Sequence, residues 1–133
     1  MAAGMTFADA IDVIEETYEF MLAYAAQGRR REDEEDPGSG IRERLTRAEA
    51  ALGVIASATL DAVGGTEVQT VAVAEFLDVV KVDCTRARAA YRLVLAQPSI
   101  GSQVVDNLNA TTHVRTLLTD LFLLDETIGI SGV

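Results

Sequence analysis

The amino-acid sequence predicts an all-α fold, a four-helix up-down-up-down antiparallel bundle built as one domain over residues 1-133. Three observations carry that expectation. Apolar residues recur at alternating spacings of three and four along four stretches, about 7-27, 41-63, 67-96 and 102-128, which is the period of helices with one face turned inward. The second and third stretches, and the third and fourth, are joined by short links that set neighbouring helices antiparallel. The chain holds 2 prolines in 133 residues, which leaves room for long uninterrupted helices.

The first helix opens at Thr6-Phe7-Ala8-Asp9, a capping box with Asp in the place of Glu, because the Thr hydroxyl can accept from a free amide and the acid suits the positive helix end. Phe7, Ile11, Ile14, Tyr18, Met21 and Ala25 line one face, and Gly28 is placed to stop it. Arg29 to Gly40 is the clearest break in composition, with three arginines, five acids and Pro37-Gly38-Ser39-Gly40. It reads as a mobile, solvated loop over 29-40.

The second helix carries Ile41, Leu45, Ala48, Leu52, Ile55, Thr59 and Ala62 on its inward stripe and ends at Gly64-Gly65. Thr66-Glu67-Val68-Gln69 is a second capping box, opening a third helix with Val73, Phe76, Val80, Cys84, Ala87, Tyr91 and Val94 on one face. That helix would be roughly 45 Å long, so it would either overhang the bundle or bend near its polar middle, Asp83 to Arg88. Gln97-Pro98-Ser99-Ile100-Gly101 makes the third connection, with Ser102 as the cap of the fourth helix. Ala110, Val114, Leu117, Leu121, Leu124 and Ile128 then form the most regular apolar repeat of the chain, and Gly129 closes it.

Composition narrows the function. Hydrophobic residues make up 49% of the chain and charged ones 24%, a globular balance too apolar for intrinsic disorder. Aromatic residues are 5% and Trp is absent, so small and branched aliphatics fill the core. A net charge of −10 repels phosphate polymers and anionic lipid, which argues against nucleic acid and membrane as partners. The start of the chain lacks a basic, apolar leader, no stretch is apolar enough to span a bilayer, and the lone Cys84 excludes an intrachain disulfide. These features point to the cytoplasm.

Familiar bundle chemistries fail on residue counts. Di-iron carboxylate bundles need Glu-x-x-His on two helices, and the one histidine, His113, is preceded at that position by Ala110. One cysteine and one histidine cannot build a multi-Cys or His-rich metal site, and phosphate-binding glycine loops are absent. If the helices alternate in direction, Met21, Cys84 and His113 come to one level beside the small Ala48, a thioether, thiol and imidazole that could hold a haem or a soft metal. Acid pairs for proton transfer could come from Glu15, Glu16 and Glu19 or from Asp120, Asp125 and Glu126, but these fall mainly on polar faces. Asn107, Asn109, Thr111 and Thr112 interrupt the fourth helix with a polar patch.

No catalytic residue and no cofactor is assigned on this basis. The favoured expectation is a non-enzymatic interaction protein, an adaptor, regulator or assembly subunit, that forms a homodimer or meets a protein partner. Its surface would be the apolar surplus beyond the inward stripes: Leu108, Leu118, Phe122 and Leu123 on the fourth helix with Val13, Phe20 and Tyr24 on the first. The alternative is a cofactor-binding bundle using Met21, Cys84 and His113.

Overall fold

A computed structural model describes residues 4–32, 40–63 and 69–129, with Ala62 described by its backbone alone. These residues form α1 (Phe7–Ala25), α2 (Ile41–Ala56), α3 (Leu60–Val63), α4 (Thr70–Leu95), α5 (Ser102–Ala110) and α6 (Thr112–Ile128). No strand occurs among them, and none of the helices is long and apolar enough to cross a membrane. α3 is a single turn, so five helices of substantial length pack as a bundle.

α1 begins as its capping box requires. Thr6 Oγ1 accepts from the Asp9 amide at 3.0 Å, and the Thr6 amide donates back to Asp9 Oδ2 at 3.1 Å. The helix proper ends at Ala25, and Gly28 turns the chain at φ +66°, a backbone region open to glycine without strain. At the far end of the chain Gly129 does the same at φ +68°.

Two long helices expected from the periodicity are divided. The helix expected over 41-63 stops at Ala56, and Ser57 to Thr59 carry the chain into α3. Ser and Thr compete with helical hydrogen bonding, and the break shifts the phase so that Ala58 and Val63 turn inward while Thr59 is exposed. The helix expected over 102-128 is split at Thr111, whose ψ of 148° is extended. Thr111 ends α5 and starts α6, and its hydroxyl donates to the Leu108 carbonyl at 2.8 Å. The Asn and Thr residues around it are weak helix formers, and the new phase leaves Ala110 exposed while Leu108 and Asn109 are buried.

α4, by contrast, runs unbroken through its polar middle. Apart from Gln69, the second capping box and the Gly64-Gly65 stop lie outside the described residues. Gly101, not Ser102, precedes the first residue of α5 as its cap.

α1 packs on α2, α2 on α4, α4 on α6, and α5 returns to α1. α2 and α4 are antiparallel: Arg42 at the start of α2 donates to the Leu95 and Gln97 carbonyls at and just past the end of α4, at 2.8 Å each, and Cys84 further back donates to the Leu52 carbonyl at 2.9 Å. The shared core contains Ile11, Ile14, Met21, Leu45, Leu52, Ile55, Val80, Tyr91, Ile100, Val105, Leu117 and Leu121, so every long helix contributes.

Candidate functional site

The three residues expected to share a cofactor layer are not brought together. Met21 and Cys84 are fully buried, and His113 is exposed. Met21 Sδ accepts from the Tyr91 hydroxyl at 3.4 Å. Cys84 lies two helical turns from Tyr91 and is bonded to Leu52. Burial pushes the Cys84 thiol up to about 12, against a smaller opposing influence from Arg88, so it stays a protonated, packed side chain. His113 lies off the inward stripe of α6, whose expected positions Val114, Leu117, Leu121 and Leu124 are the buried ones. Among the described residues no three His, Cys, Asp or Glu side chains are grouped as a metal site.

The expected apolar surface is partly used up by the fold. Leu108, Leu118, Val13 and Tyr24 are buried in this chain's own core, and Phe20 is half-buried against it. Leu108 and Leu118 had looked surplus because a straight fourth helix would present them outside one seam, whereas α5 packs chiefly on α1 and α6 on α4; Val13 and Tyr24 are buried because α1 packs on both α2 and α5. Phe122 and Leu123 remain on the surface, 50% and 54% exposed. The reading by stripes missed Val71, Val82 and Leu93, which are exposed on α4. Their 11-residue spacing, a return to nearly the same angle every three turns, was the available signal.

The acids behave unequally. Burial first, and then Asp12, Asp125, Glu19 and Glu16, raise the Glu15 carboxyl above its usual value, a crowding of like charge along α1 and α6. Burial also works against the charge of Glu49, but Arg88 and Arg92 outweigh it: both donate to its Oε2, Arg92 at 2.9 Å, and its carboxyl lies below the usual value. These ion pairs explain why the polar middle of α4 is compatible with a continuous helix, since they turn its cations onto α2.

The most unusual juxtaposition is Asp83 of α4 with Asp120 of α6. Asp83 is 8% exposed. Arg86 approaches it at 3.5 Å, and the Asp120 side chain is hydrogen-bonded to it. Oδ2 of Asp120 is buried without a partner. Two carboxyl groups hydrogen-bond to each other only around a proton. Asp120 is pushed up to about 7, by burial first and then by the hydrogen bond and charge of Asp83. Its groove on α6 is lined by Thr112, Arg115, Thr116 and Thr119.

A second polar assembly ties together the ends of α1, α2, α4 and α5. Tyr24 donates to the Ile100 carbonyl at 2.6 Å, and Ser102 Oγ donates to the Tyr24 carbonyl at 2.7 Å and accepts from the Arg29 amide at 2.8 Å. Glu32 accepts from two guanidinium nitrogens of Arg42, at 2.7 and 3.1 Å, and from the Ile100 amide at 2.9 Å. The Arg42 hydrogen bonds hold the Glu32 carboxyl below its usual value. Residues 29–32, expected to open a mobile loop, are therefore pinned to the start of α5; residues 33–39 of that loop lie outside the described residues. Arg29, Arg30, Ser99, Ser102, Gln103 and Asn107 line a cleft of about 680 Å³ beside this assembly.

Neither protein-family models, nor curated proteins, nor solved structures match this chain.

Proposed function

We propose that this chain is a non-enzymatic helical interaction protein, an adaptor, regulator or assembly subunit, that pairs through α6 with a second copy of itself or with another protein. The observation that carries the reading is the exposure of Phe122 and Leu123, adjacent on α6, where Leu118, Leu121 and Leu124 around them are buried. An aromatic and a leucine side by side on a rigid helix suit the anchor of a protein contact. The net charge of −10 disfavours nucleic acid and anionic membrane, and a lone buried thiol suits a cytoplasmic setting. Counting α2 with α3, and α5 with α6, as interrupted single helices, the fold reads as an up-down-up-down four-helix bundle presenting the last helix to its partner.

Light scattering behind size exclusion tests the self-pairing form of this reading. The unmodified chain is expected to give a dimer mass in the micromolar range, and Phe122→Glu a folded monomer. A monomer at every concentration for both proteins refutes self-pairing, and a dimer indifferent to both Phe122→Glu and Leu123→Glu refutes the assigned surface.

A further inference from the structure

We propose that Asp83 and Asp120 form a proton-operated latch on the seam between α4 and α6: one shared proton holds the two helices together, and its release sets two carboxylates against each other and loosens α6. Asp83 sits among apolar neighbours, three residues after Val80 and four before Ala87, both of which are fully buried. Asp120 occupies the same place between Leu117 and Leu124 on the facing helix. Asp83 cannot swing its charge into water without disturbing that packing, and although Asp120 is only partly buried, one of its oxygens is enclosed and unpartnered. With the proton in place, Asp120 donates to Asp83. Without it, the hydrogen bond is lost, the proton passes to solvent, and like charges face each other across the seam.

Of the surrounding charges among the described residues, one cation is paired with the two acids, and it is paired at Asp83. On α4, Arg86 is beside Asp83, while Arg88 and Arg92 are bound to Glu49 of α2. On α6, Arg115 lines the same groove as Asp120 but forms no ion pair with it. α5 contributes Asp106, which lines the cleft beside Arg29 instead. The α1 acid Glu15 acts with Asp125, about 140° around α6 from Asp120. Arg86 pairs with Asp83, and the proton is assigned to Asp120, whose carboxyl is the raised one.

The sign of the linkage follows. The folded chain holds a proton on Asp120 up to about pH 7, whereas the unfolded chain releases it near pH 4. Between these limits the folded state binds one more proton, so stability falls as pH rises through the window and is level above it. Asp120 is partly open to solvent, so screening reduces the full effect, and the folded-to-unfolded ratio is expected to drop by about tenfold.

Urea unfolding of the full chain at intervals from pH 5 to pH 8 tests the latch, with amide hydrogen exchange along α6 measured at the two extremes. The unmodified chain is expected to lose stability and α6 protection as pH rises. Asp120→Asn keeps a donor without a titrating proton, so its profile should flatten, and Glu126→Gln, which removes an exposed acid of the same helix, should retain the slope. Parallel profiles for Asp120→Asn and the unmodified chain would overturn the proposal. Should Asp120→Asn fail to fold, carboxyl-carbon NMR of the unmodified chain decides: one carboxyl titrating near neutrality supports the latch, and all carboxyls titrating in the ordinary acidic range exclude it.

Discussion

Arg42→Ala is the most informative perturbation of the polar assembly at the bundle's end. The substitution removes two hydrogen bonds to the Leu95 and Gln97 carbonyls and two to Glu32. The Arg42 and Glu32 side chains are part-exposed, at 39% and 24%, so the ion pair contributes at the level of a surface pair, below about 1 kcal/mol. The carbonyl bonds contribute roughly 0.5–1.5 kcal/mol each before water replaces them in part. A net loss of about 2 kcal/mol follows, which for a chain of this length lowers Tm by about 7 °C. Thermal unfolding by circular dichroism at neutral pH measures it. Glu32→Gln preserves shape and the Ile100 contact, so it should cost about half as much, and the double mutant should show a coupling of about 1 kcal/mol. A loss under about 0.5 kcal/mol for Arg42→Ala, as at an ordinary surface position, would refute the assembly's role in holding α2 to α4.

Two further outcomes are expected. Gly101→Ala would bring a Cβ to 2.7 Å from the Arg30 carbonyl oxygen; because the clash is with backbone, the substitution should destabilise by about 1–3 kcal/mol, and a neutral result in urea unfolding would show that the 29–32 segment gives way. Cys84, buried and held as a thiol, should react with an aromatic disulfide reagent at pH 8 slower in the folded chain by on the order of a thousandfold; labelling at the unfolded rate would contradict its packing.

Much of the bundle was legible because helical periodicity is a local property. The inward positions of α1 and the phase of α4 can be counted from the residues themselves, and Thr6 with Asp9 announces its own hydrogen bonds. The breaks at Ser57 to Thr59 and at Thr111 were less accessible. Their Ser, Thr and Asn residues signal weak helix, but whether a weak stretch breaks depends on what lies on either side in space. The layer of Met21, Cys84 and His113 fails for a simpler reason: the phase of α6 is the expected one, with Val114, Leu117, Leu121 and Leu124 buried, and it leaves His113 exposed while Met21 and Cys84 are buried. The carboxyl pair left a local trace: Asp83 and Asp120 each occupy an inward position of an apolar stripe. What no single stripe can show is that the two positions meet, because that depends on the relative height of α4 and α6.

The bonds joining Tyr24 to Ile100 and Ser102 also bear on how the chain folds. Tyr24 and Ser102 are 78 residues apart, and closing a loop of that length costs about 4 kcal/mol in chain entropy from its length dependence alone. The antiparallel pairings of α1 with α2 and of α2 with α4 join neighbours along the chain and shorten that span before it closes. Docking of α5 onto α1 is thus a late event, and weakening it should act chiefly by accelerating unfolding, leaving the rate of collapse little changed.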